Sequence, residues 1–406
     1  MSRPLPGDST GATTHNRRMS RTVLGGGAVL DPVSGGLREA EVALEDGLVA
    51  EIGQELTGGE RVDVSGLTLT PGLIDCHAHM AFADTASMDG EVPPSQRLLR
   101  AVPQLATTVR LGVTTVRDAW GADAGLRAAI EEGVVPGPRL LISLAQLSGT
   151  GGIGDHFSPA TGDDTSFLGS PWLPRGVFDG PTEARGAVRR MVRSGADVIK
   201  VAMSGSVTRP DAEHQHITDD EIAEIVAEAA RHDVSVMAHA HGARAAESAA
   251  KAGVRSIEHG FFLDEEAVAA MAEHGTWLVP TLLAAHGDEP GTDDPEWMHR
   301  AREASARSFA MALDAGIPIA MGTDCPVTPH ARRLDELAVM HRLGMDPAGV
   351  WRAATSDAAR LLDRSDLGLL EVGRRADVVA IAGDPWSFDD LADRVTHVWK
   401  DGVAQR

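Results

Sequence analysis

The sequence predicts an α/β protein: a (β/α)8 barrel of the TIM type, joined to a small β-sandwich domain that both ends of the chain build. First, short apolar runs alternate with amphipathic, Ala- and Arg-rich stretches from about residue 70 onward. Such alternation is typical of a parallel sheet whose two faces are covered by helices. Second, there are eight of these runs, a number that favours a closed barrel over the alternative of an open, doubly wound sheet.

The third observation concerns the two flanks of the chain. Residues 19–69 and 366–406 both contain short β-type runs, broken by turns with Gly, Asp or Pro. We therefore expect them to form the first and second parts of one small β-domain, around a barrel at 70–365. Residues 1–18 are polar and rich in Gly, Ser, Thr and Pro, which predicts a disordered N-terminal tail and makes Met19 a candidate natural start.

The barrel elements follow one another in order along the chain. The eight predicted strands lie in LTLTPGLIDCH, VTTVRDAW, RLLISLAQL, DVIKVAMSG, VSVMAHAHG, RSIEHG, TWLVPTLL and IPIAMGTDC. Helical spacing of apolar residues marks the intervening segments TEARGAVRRMVRSGA, TDDEIAEIVAEAARHD, ARAAESAAKAG and DEEAVAAMAEHG. Thr218 and Glu221 have the spacing of a capping box, and Gly195, Gly253 and Gly275 stand where helices should end.

Composition excludes several classes of partner. The net charge of −22 argues against nucleic acid and against anionic membrane surfaces. No run of about 18 apolar residues is available to span a membrane. The chain has only two cysteines, so we expect no disulfide framework and a reducing, cytoplasmic location.

Histidines gather at the ends of the predicted strands. His77 and His79 are two residues apart in DCHAH, so their side chains lie on the same face of the strand and can share a metal ion. Further polar residues occupy four other strands of the predicted barrel, namely Lys200, His239, His241, His259 and Asp324. Because the carboxyl ends of barrel strands meet at one rim, we expect these side chains to form a single site.

Lys200 stands out because the chain otherwise uses arginine. Only three of its 37 basic residues are lysines, yet one of them lies in the apolar run DVIKVAMSG. A buried amine can lose its proton and add CO2 to form a carbamate, which is an anionic ligand, whereas a guanidinium stays protonated. The alternative is an ordinary buried pair between Lys200 and a carboxylate.

These residues resemble the amidohydrolase superfamily. The resemblance rests on PGLIDCHAH, ADVIKV, MAHAHG, SIEHG and GTD in that order, together with GRRADVVAI near the C-terminus, and it extends over residues 20 to 406. Within the superfamily the chain looks most similar to the branch with a binuclear zinc centre and a carboxylated lysine. That branch includes prolidase-like and carboxypeptidase-like enzymes, ochratoxin-type amidases and aryl-urea hydrolases.

The resemblance implies a set of ligands and a reaction. His77, His79 and Asp324 would hold the more buried of two divalent metal ions, expected to be zinc. His239 and His259 would hold the other, and carboxylated Lys200 would bridge both. A hydroxide between the metals would attack the carbonyl of a small-molecule amide, with Asp324 as general base and acid.

The expected substrate is an N-acyl amino acid or a dipeptide-like amide. Aryl ureas, carbamates, cyclic amides and lactones are the alternatives. Deamination is disfavoured, because deaminase relatives usually carry HxxE after the fifth strand and this chain has HAHG. A non-catalytic scaffold is a remote alternative, and a homo-oligomer is expected by fold analogy.

Substrate contacts are less clearly marked. His241 is a candidate. Relatives often carry TGGHGD after the third strand, where this chain has TGGIGDHF, so His156 is a candidate replacement for the missing histidine. The chain has no Tyr, so His214 or His216 is expected to take the place of the family's loop tyrosine. Arg209 is a candidate partner for a substrate carboxylate, with a solvated loop arginine as the alternative.

Overall fold

The computed structural model describes residues 21–88, 92–157, 173–287, 291 and 294–405. The predicted tail and the candidate start Met19 lie outside these ranges.

The strands are β1 (Thr22–Gly25), β2 (Ala28–Asp31), β3 (Gly36–Glu39), β4 (Glu41–Glu45), β5 (Leu48–Gly53), β6 (Glu60–Asp63), β7 (Thr68–Pro71), β8 (Leu73–Ala78), β9 (Val113–Asp118), β10 (Arg139–Ile142), β11 (Gln146–Leu147), β12 (Val198–Ala202), β13 (Ser235–Gly242), β14 (Ser256–Phe262), β15 (Trp277–Val279), β16 (Val378–Ile381), β17 (Val395–Lys400) and β18 (Val403–Ala404). The helices are α1 (Pro94–Arg110), α2 (Ala124–Glu131), α3 (Gly180–Arg193), α4 (Asp219–Ala230), α5 (Ala243–Ala252), α6 (Glu265–His274), α7 (Leu283–His286), α8 (Glu296–Asp314), α9 (Asp335–Arg342), α10 (Pro347–Ala354), α11 (Ser356–Leu361) and α12 (Leu391–Arg394).

The central strands are parallel and lie in two sheets. One has the order β10-β9-β8 and the other the order β11-β12-β13-β14-β15. The prediction of a mixed α/β fold is confirmed. A single closed barrel is not detected as such, because the third predicted strand is divided into β10 and β11. Leu144 lies between the two parts with φ at +69°, a left-handed conformation that interrupts an extended strand.

The eighth predicted strand forms only isolated bridges. Ile319 pairs with Leu278 of β15, and Cys325 pairs with Ala78 of β8, both in parallel. Gly322 lies between these bridges, where an added Cβ would come within 2.3 Å of Val279 Cγ1. The segment is therefore held close to strands on both of its sides, although it lacks a regular ladder.

The predicted helices form where the apolar spacing placed them. On α3 the buried residues Ala184, Ala187, Val188 and Met191 follow the three- and four-residue spacing of one helix face. The capping box at the start of α4 is present, with Glu221 accepting the backbone N–H of Thr218 at 2.8 Å. Gly253 and Gly275 end α5 and α6 as predicted.

Strands from both ends of the chain pair with each other. A six-stranded sheet has the order β18-β17-β16-β7-β2-β3, and a four-stranded sheet has the order β5-β4-β1-β6. Buried apolar residues of both sheets belong to one cluster, which includes Leu24, Val42, Leu69, Val378 and Trp399. The central parallel strands pack against their helices in another, larger cluster.

Candidate active site

Five histidines and one aspartate meet where the parallel strands end. Asp324 Oδ1 lies 3.2 Å from His77 Nε2 and 3.0 Å from His79 Nε2. The His259 ring centre is 4.8 Å from that of His77 and 4.6 Å from that of His239. The structure therefore brings together predicted ligands that come from four separate parts of the sequence.

Two groups of side chains could each hold a metal ion. His239, His241 and His259 form one, and His77, His259 and Asp324 form the other, with the ligand atoms of each group within 4.8 Å of one another. His241 thus lies among the donors, although the sequence suggested only a substrate contact for it. Its Nδ1 is buried without a hydrogen-bond partner among the described residues. Imidazole nitrogens with a carboxylate fit zinc and related divalent ions.

On β8, the second ring nitrogen of each histidine has a partner. His77 Nδ1 lies 2.7 Å from Glu258 Oε2, and His79 Nδ1 lies 3.2 Å from the carbonyl oxygen of Trp120. Such bonds fix the orientation of the ring and decide which nitrogen carries the proton. In both residues Nε2 is the nitrogen that faces Asp324.

The histidines of β13 and β14 are held in a similar way. His259 Nδ1 contacts Thr281 Oγ1 at 2.7 Å, and His239 Nε2 contacts the carbonyl oxygen of Gly205 at 3.0 Å. These partners leave Nε2 of His259 and Nδ1 of His239 for a ligand. The site is therefore oriented by neighbours as well as by the strands themselves.

Burial keeps these imidazoles neutral. It lowers the pKa of His239 and His259 well below the ordinary value, and that of His241 to about 3. Burial alone raises the pKa of Asp324, but the neighbouring His77 and His79 rings outweigh it and hold that pKa well below its ordinary value. Neutral imidazoles beside an ionised carboxylate are the protonation states that a cation requires.

Lys200 lies in the middle of β12 with only 2% of its surface exposed. Burial lowers the pKa of its amine to about 8. Among the described residues no carboxylate lies within the 4.0 Å of an ion pair with Nζ, although Glu258 and Asp324 are near enough to influence its charge. The alternative of an ordinary buried lysine–carboxylate pair therefore has no partner in the part of the chain that the structure describes.

Backbone strain accumulates at the same strand ends. His259, Thr281 and Asp324 have φ values of +72°, +48° and +57°, which residues other than glycine rarely adopt. The turn at His259 directs two consecutive side chains, Glu258 and His259, toward His77, although strand alternation would place them on opposite faces. Such left-handed conformations raise the free energy of the folded state. They persist where the surrounding contacts hold the backbone in place, as at functional sites.

Sequence reasoning missed two buried ion pairs behind the site. Arg117 Nη2 lies 2.9 Å from Glu258 Oε1, and Arg333 Nη1 lies 2.9 Å from Asp75 Oδ2. A charged residue inside an apolar strand was the signal that could have found Asp75 and Arg117. The same signal marks Lys200 in the sequence.

Asp75 ties the first strand to the eighth segment. Its Oδ2 accepts the Thr323 hydroxyl at 2.7 Å, and its Oδ1 accepts the backbone N–H groups of His77 and Thr323 at 3.1 and 3.2 Å. The Asp75 carboxylate thus fixes the backbone at His77 and also at Thr323, the residue before Asp324.

The predicted substrate-contacting residues lie around this centre to different extents. The His156 ring stacks on Trp120 at 5.4 Å, and Trp120 in turn meets His79 edge-on at 5.8 Å. His216 and Arg209 both contact Asp211, each at 3.1 Å, while His214 is exposed. The guanidinium of Arg209 is thus shared with its own loop, and its contact with a substrate stays a prediction.

That loop packs directly on the end of β13. Ser204 Oγ accepts the backbone N–H of His241 at 3.0 Å. A Cβ added at Gly242 would lie 2.2 Å from the carbonyl oxygen of Glu213, so only glycine fits there without moving the loop. The loop is therefore one wall of the site.

Comparison with known proteins agrees with this geometry. The model of the amidohydrolase family matches residues 68–404. An ochratoxinase of Aspergillus niger is 33% identical, covering 90% of this chain and 82% of its own length, and its crystal structure aligns with a TM-score of 0.81 over 95% of each chain. A prolidase crystallised with N-methylphosphonate-L-proline is 35% identical, with a TM-score of 0.84 over 95% of this chain and 99% of its own. An imidazolonepropionase of Cupriavidus necator is 29% identical, covering 88% of this chain and 86% of its own length.

The fold and the donor set together define a hydrolase whose site is suited to divalent metal ions. The chain belongs to the amidohydrolase family, and it is an enzyme that hydrolyses C–N bonds. Within the described residues, no helix is both long enough and apolar enough to cross a membrane.

Proposed function

We propose that the protein cleaves the amide C–N bond of an N-acyl amino acid or a dipeptide-like substrate. The relatives support this substrate class. The ligand of the related prolidase structure carries a phosphonate on the nitrogen of L-proline, at the place where an acyl carbonyl would stand. A substrate of this kind has a tertiary or secondary amide beside a carboxylate.

The observation that carries the proposal is the buried amine of Lys200. An ammonium group without a partner in this position would cost several kcal/mol. Addition of CO2 to the neutral amine forms an N–C bond and releases one proton to solvent, which converts the side chain into an anionic carbamate. With a pKa of about 8, part of the amine is neutral at physiological pH, so the reaction is open to it.

The donors divide between two divalent ions, which we propose to be zinc. His77, His79 and Asp324 would hold one, His239 and His259 the other, and the Lys200 carbamate both. When bound, such ions lower the pKa of water and polarise a carbonyl group. His241 lies with His239 and His259, so its ring can bind either the metal ion or the substrate.

Asp324 is the proposed general base and acid. Its carboxylate lies beside two imidazole nitrogens and is ionised, so it can accept a proton from water at Oδ1 or Oδ2. The same oxygen can pass that proton to the leaving nitrogen. Loss of the carboxylate should therefore abolish turnover.

We further propose that the two parallel sheets form one closed barrel and that residues 19–69 and 366–406 form one β-sandwich domain beside it. The bridges of Ile319 and Cys325 support the first point, and the shared apolar cluster supports the second. Buried, unbonded cysteines are consistent with a cytoplasmic location. A homo-oligomer is expected, and light scattering of the purified protein tests it.

The experiment compares Lys200→Ala with Lys251→Ala. Lys251 is an exposed lysine on α5, so its substitution serves as the matched control. Both proteins and the wild type are produced with zinc and 13C-labelled bicarbonate. We expect about two metal ions per chain, a 13C carbamate signal and hydrolysis of N-acyl amino acids in the wild type and in Lys251→Ala. Lys200→Ala should lose all three. Two metals and full activity in Lys200→Ala would refute the carbamate.

A second candidate function is hydrolysis of a cyclic amide, which the similarity to an imidazolonepropionase favours. The same site could act on either substrate, because both reactions begin with attack on an amide carbonyl. A substrate panel that contains acyclic N-acyl amino acids, dipeptides, cyclic amides, aryl ureas and lactones separates the candidates by their kcat/KM values.

A further inference from the structure

We propose that Glu258, anchored by Arg117, is a positioning residue that sets the proton of His77 so that Nε2 of this ring is presented to the metal. The inference rests on the proposed function, since it takes His77 to be a metal ligand. It concerns a side chain that contacts the ligand rather than the metal.

Both oxygens of Glu258 are fully engaged. Oε2 lies 2.7 Å from His77 Nδ1, while Oε1 accepts Arg117 Nη2 at 2.9 Å and the Ser256 hydroxyl at 2.5 Å. None of the four side chains is appreciably exposed. The carboxylate is therefore held in one orientation, with a single oxygen directed at the imidazole.

Arg117 fixes this arrangement across three strands. From β9, its Nε donates to the carbonyl oxygen of Cys76 on β8 at 2.7 Å, and its Nη1 donates to Ser256 Oγ on β14 at 3.1 Å. The guanidinium is planar and cannot rotate a single donor away. Its position relative to Glu258 is thus determined by the sheet itself.

The consequence for His77 follows from donor and acceptor roles. A carboxylate can only accept, so His77 Nδ1 must carry a proton and donate it. A proton held at Nδ1 leaves Nε2, which faces Asp324, as the nitrogen that a metal ion takes up. The buried ion pair thus has a role beyond packing. Apolar residues of similar volume would fill the same space without the free-energy cost of burying two charges.

Glu258→Gln should reverse this hydrogen bond. The amide oxygen of Gln must face Arg117, because the guanidinium offers only donors there, and the amide NH2 is then directed at His77 Nδ1. That nitrogen becomes an acceptor and the proton moves to Nε2. We expect the affinity for one of the two metal ions to fall about 10- to 100-fold.

The double variant Glu258→Gln/Arg117→Met separates positioning from packing. Without the guanidinium the amide can turn, so that its oxygen again accepts from His77 Nδ1. We expect the double variant to bind metal more tightly than Glu258→Gln, although it removes more of the native structure. A purely structural role predicts the opposite order.

Glu228→Gln is the matched control. Glu228 on α4 is also buried, and its carboxylate also contacts an arginine and a histidine, Arg189 at 2.6 Å and His232 at 3.3 Å. It has no contact with the candidate ligands among the described residues. Its substitution should leave the metal affinity at the wild-type value.

The test measures zinc affinity by competition with a chromogenic chelator, and it measures the thermal unfolding of each metal-free protein. Wild-type affinity in Glu258→Gln, or no recovery in the double variant, would overturn the inference alone. A wild type that binds no divalent metal would overturn the proposed function and the inference with it. If Glu258→Gln does not fold, Glu258→Asp keeps the charge opposite Arg117 but is one methylene too short to reach His77. Without an acceptor at Nδ1 the His77 proton is no longer fixed, and Glu258→Asp should bind metal more weakly than the wild type.

Discussion

Replacing Asp75 by asparagine should cost the protein much of its stability, because it leaves Arg333 uncompensated in the core. Both side chains of this ion pair are completely buried. In the Asp75→Asn variant the amide oxygen can still accept the backbone N–H groups of His77 and Thr323. The amide NH2 would then replace Oδ2 and face the guanidinium, donor against donor. Breaking a buried pair in this way costs about 3–5 kcal/mol.

The assay is urea denaturation of the metal-free protein, which keeps metal binding out of the measurement. Asp363→Asn is the matched control, since Asp363 is 75% exposed and pairs with Arg255 at 3.1 Å. Surface pairs of this kind contribute about 0–1 kcal/mol. The double variant Asp75→Asn/Arg333→Met should recover part of the loss. If Asp75→Asn lowers the free energy of unfolding no more than the control does, the buried pair is not a stabilising element and the reasoning is wrong.

Three other outcomes are expected. Burial raises the pKa of Glu336 to about 8, so the folded state keeps a proton that the unfolded state has lost between about pH 4.5 and 8. The unfolding free energy of the wild type should therefore fall as the pH rises, at about 1.36 kcal/mol per pH unit and by up to several kcal/mol in all, relative to that of Glu336→Gln. If the difference in unfolding free energy between the two proteins does not change with pH, this reasoning is contradicted. Gly242→Ala should displace the loop at Glu213 and lower kcat/KM by about tenfold or more, because a small displacement of groups in an active site slows the reaction strongly. The control Gly186→Ala, inside α3, should leave kcat/KM unchanged. Removal of metal with a chelator should lower both activity and the unfolding temperature, and added zinc should restore them; activity that survives exhaustive chelation would exclude a metal-dependent reaction.

The strand ends could be predicted from the sequence because their signal is local. His77 and His79 are two residues apart on one strand, and the other candidate ligands each end or occupy an apolar run. The period of a strand is enough to place such residues on one face, and the parallel order is enough to bring them together. The assignment of His241 to substrate rather than metal stays a prediction, because its ring lies among the donors.

The network behind the ligands could not be predicted in the same way. Asp75 and Arg333 are far apart in the chain, and so are Arg117 and Glu258, so no spacing rule connects them. The place of Glu258 also depends on the left-handed backbone of His259, which breaks the alternation that sequence reasoning assumes. Contacts that close only through tertiary structure have no local pattern in the sequence.

The six-stranded sheet has a consequence for the synthesis of the chain. β7 ends at Pro71, but β16, which pairs with it, begins only at Val378. A nascent chain must therefore carry an open β edge at β7 until β16, about 300 residues later, has left the ribosome. Unpaired edges are templates on which other chains can add strands. The arrival of the C-terminal strands is thus the step that covers the β7 edge, and a chain truncated before β16 would keep that edge permanently.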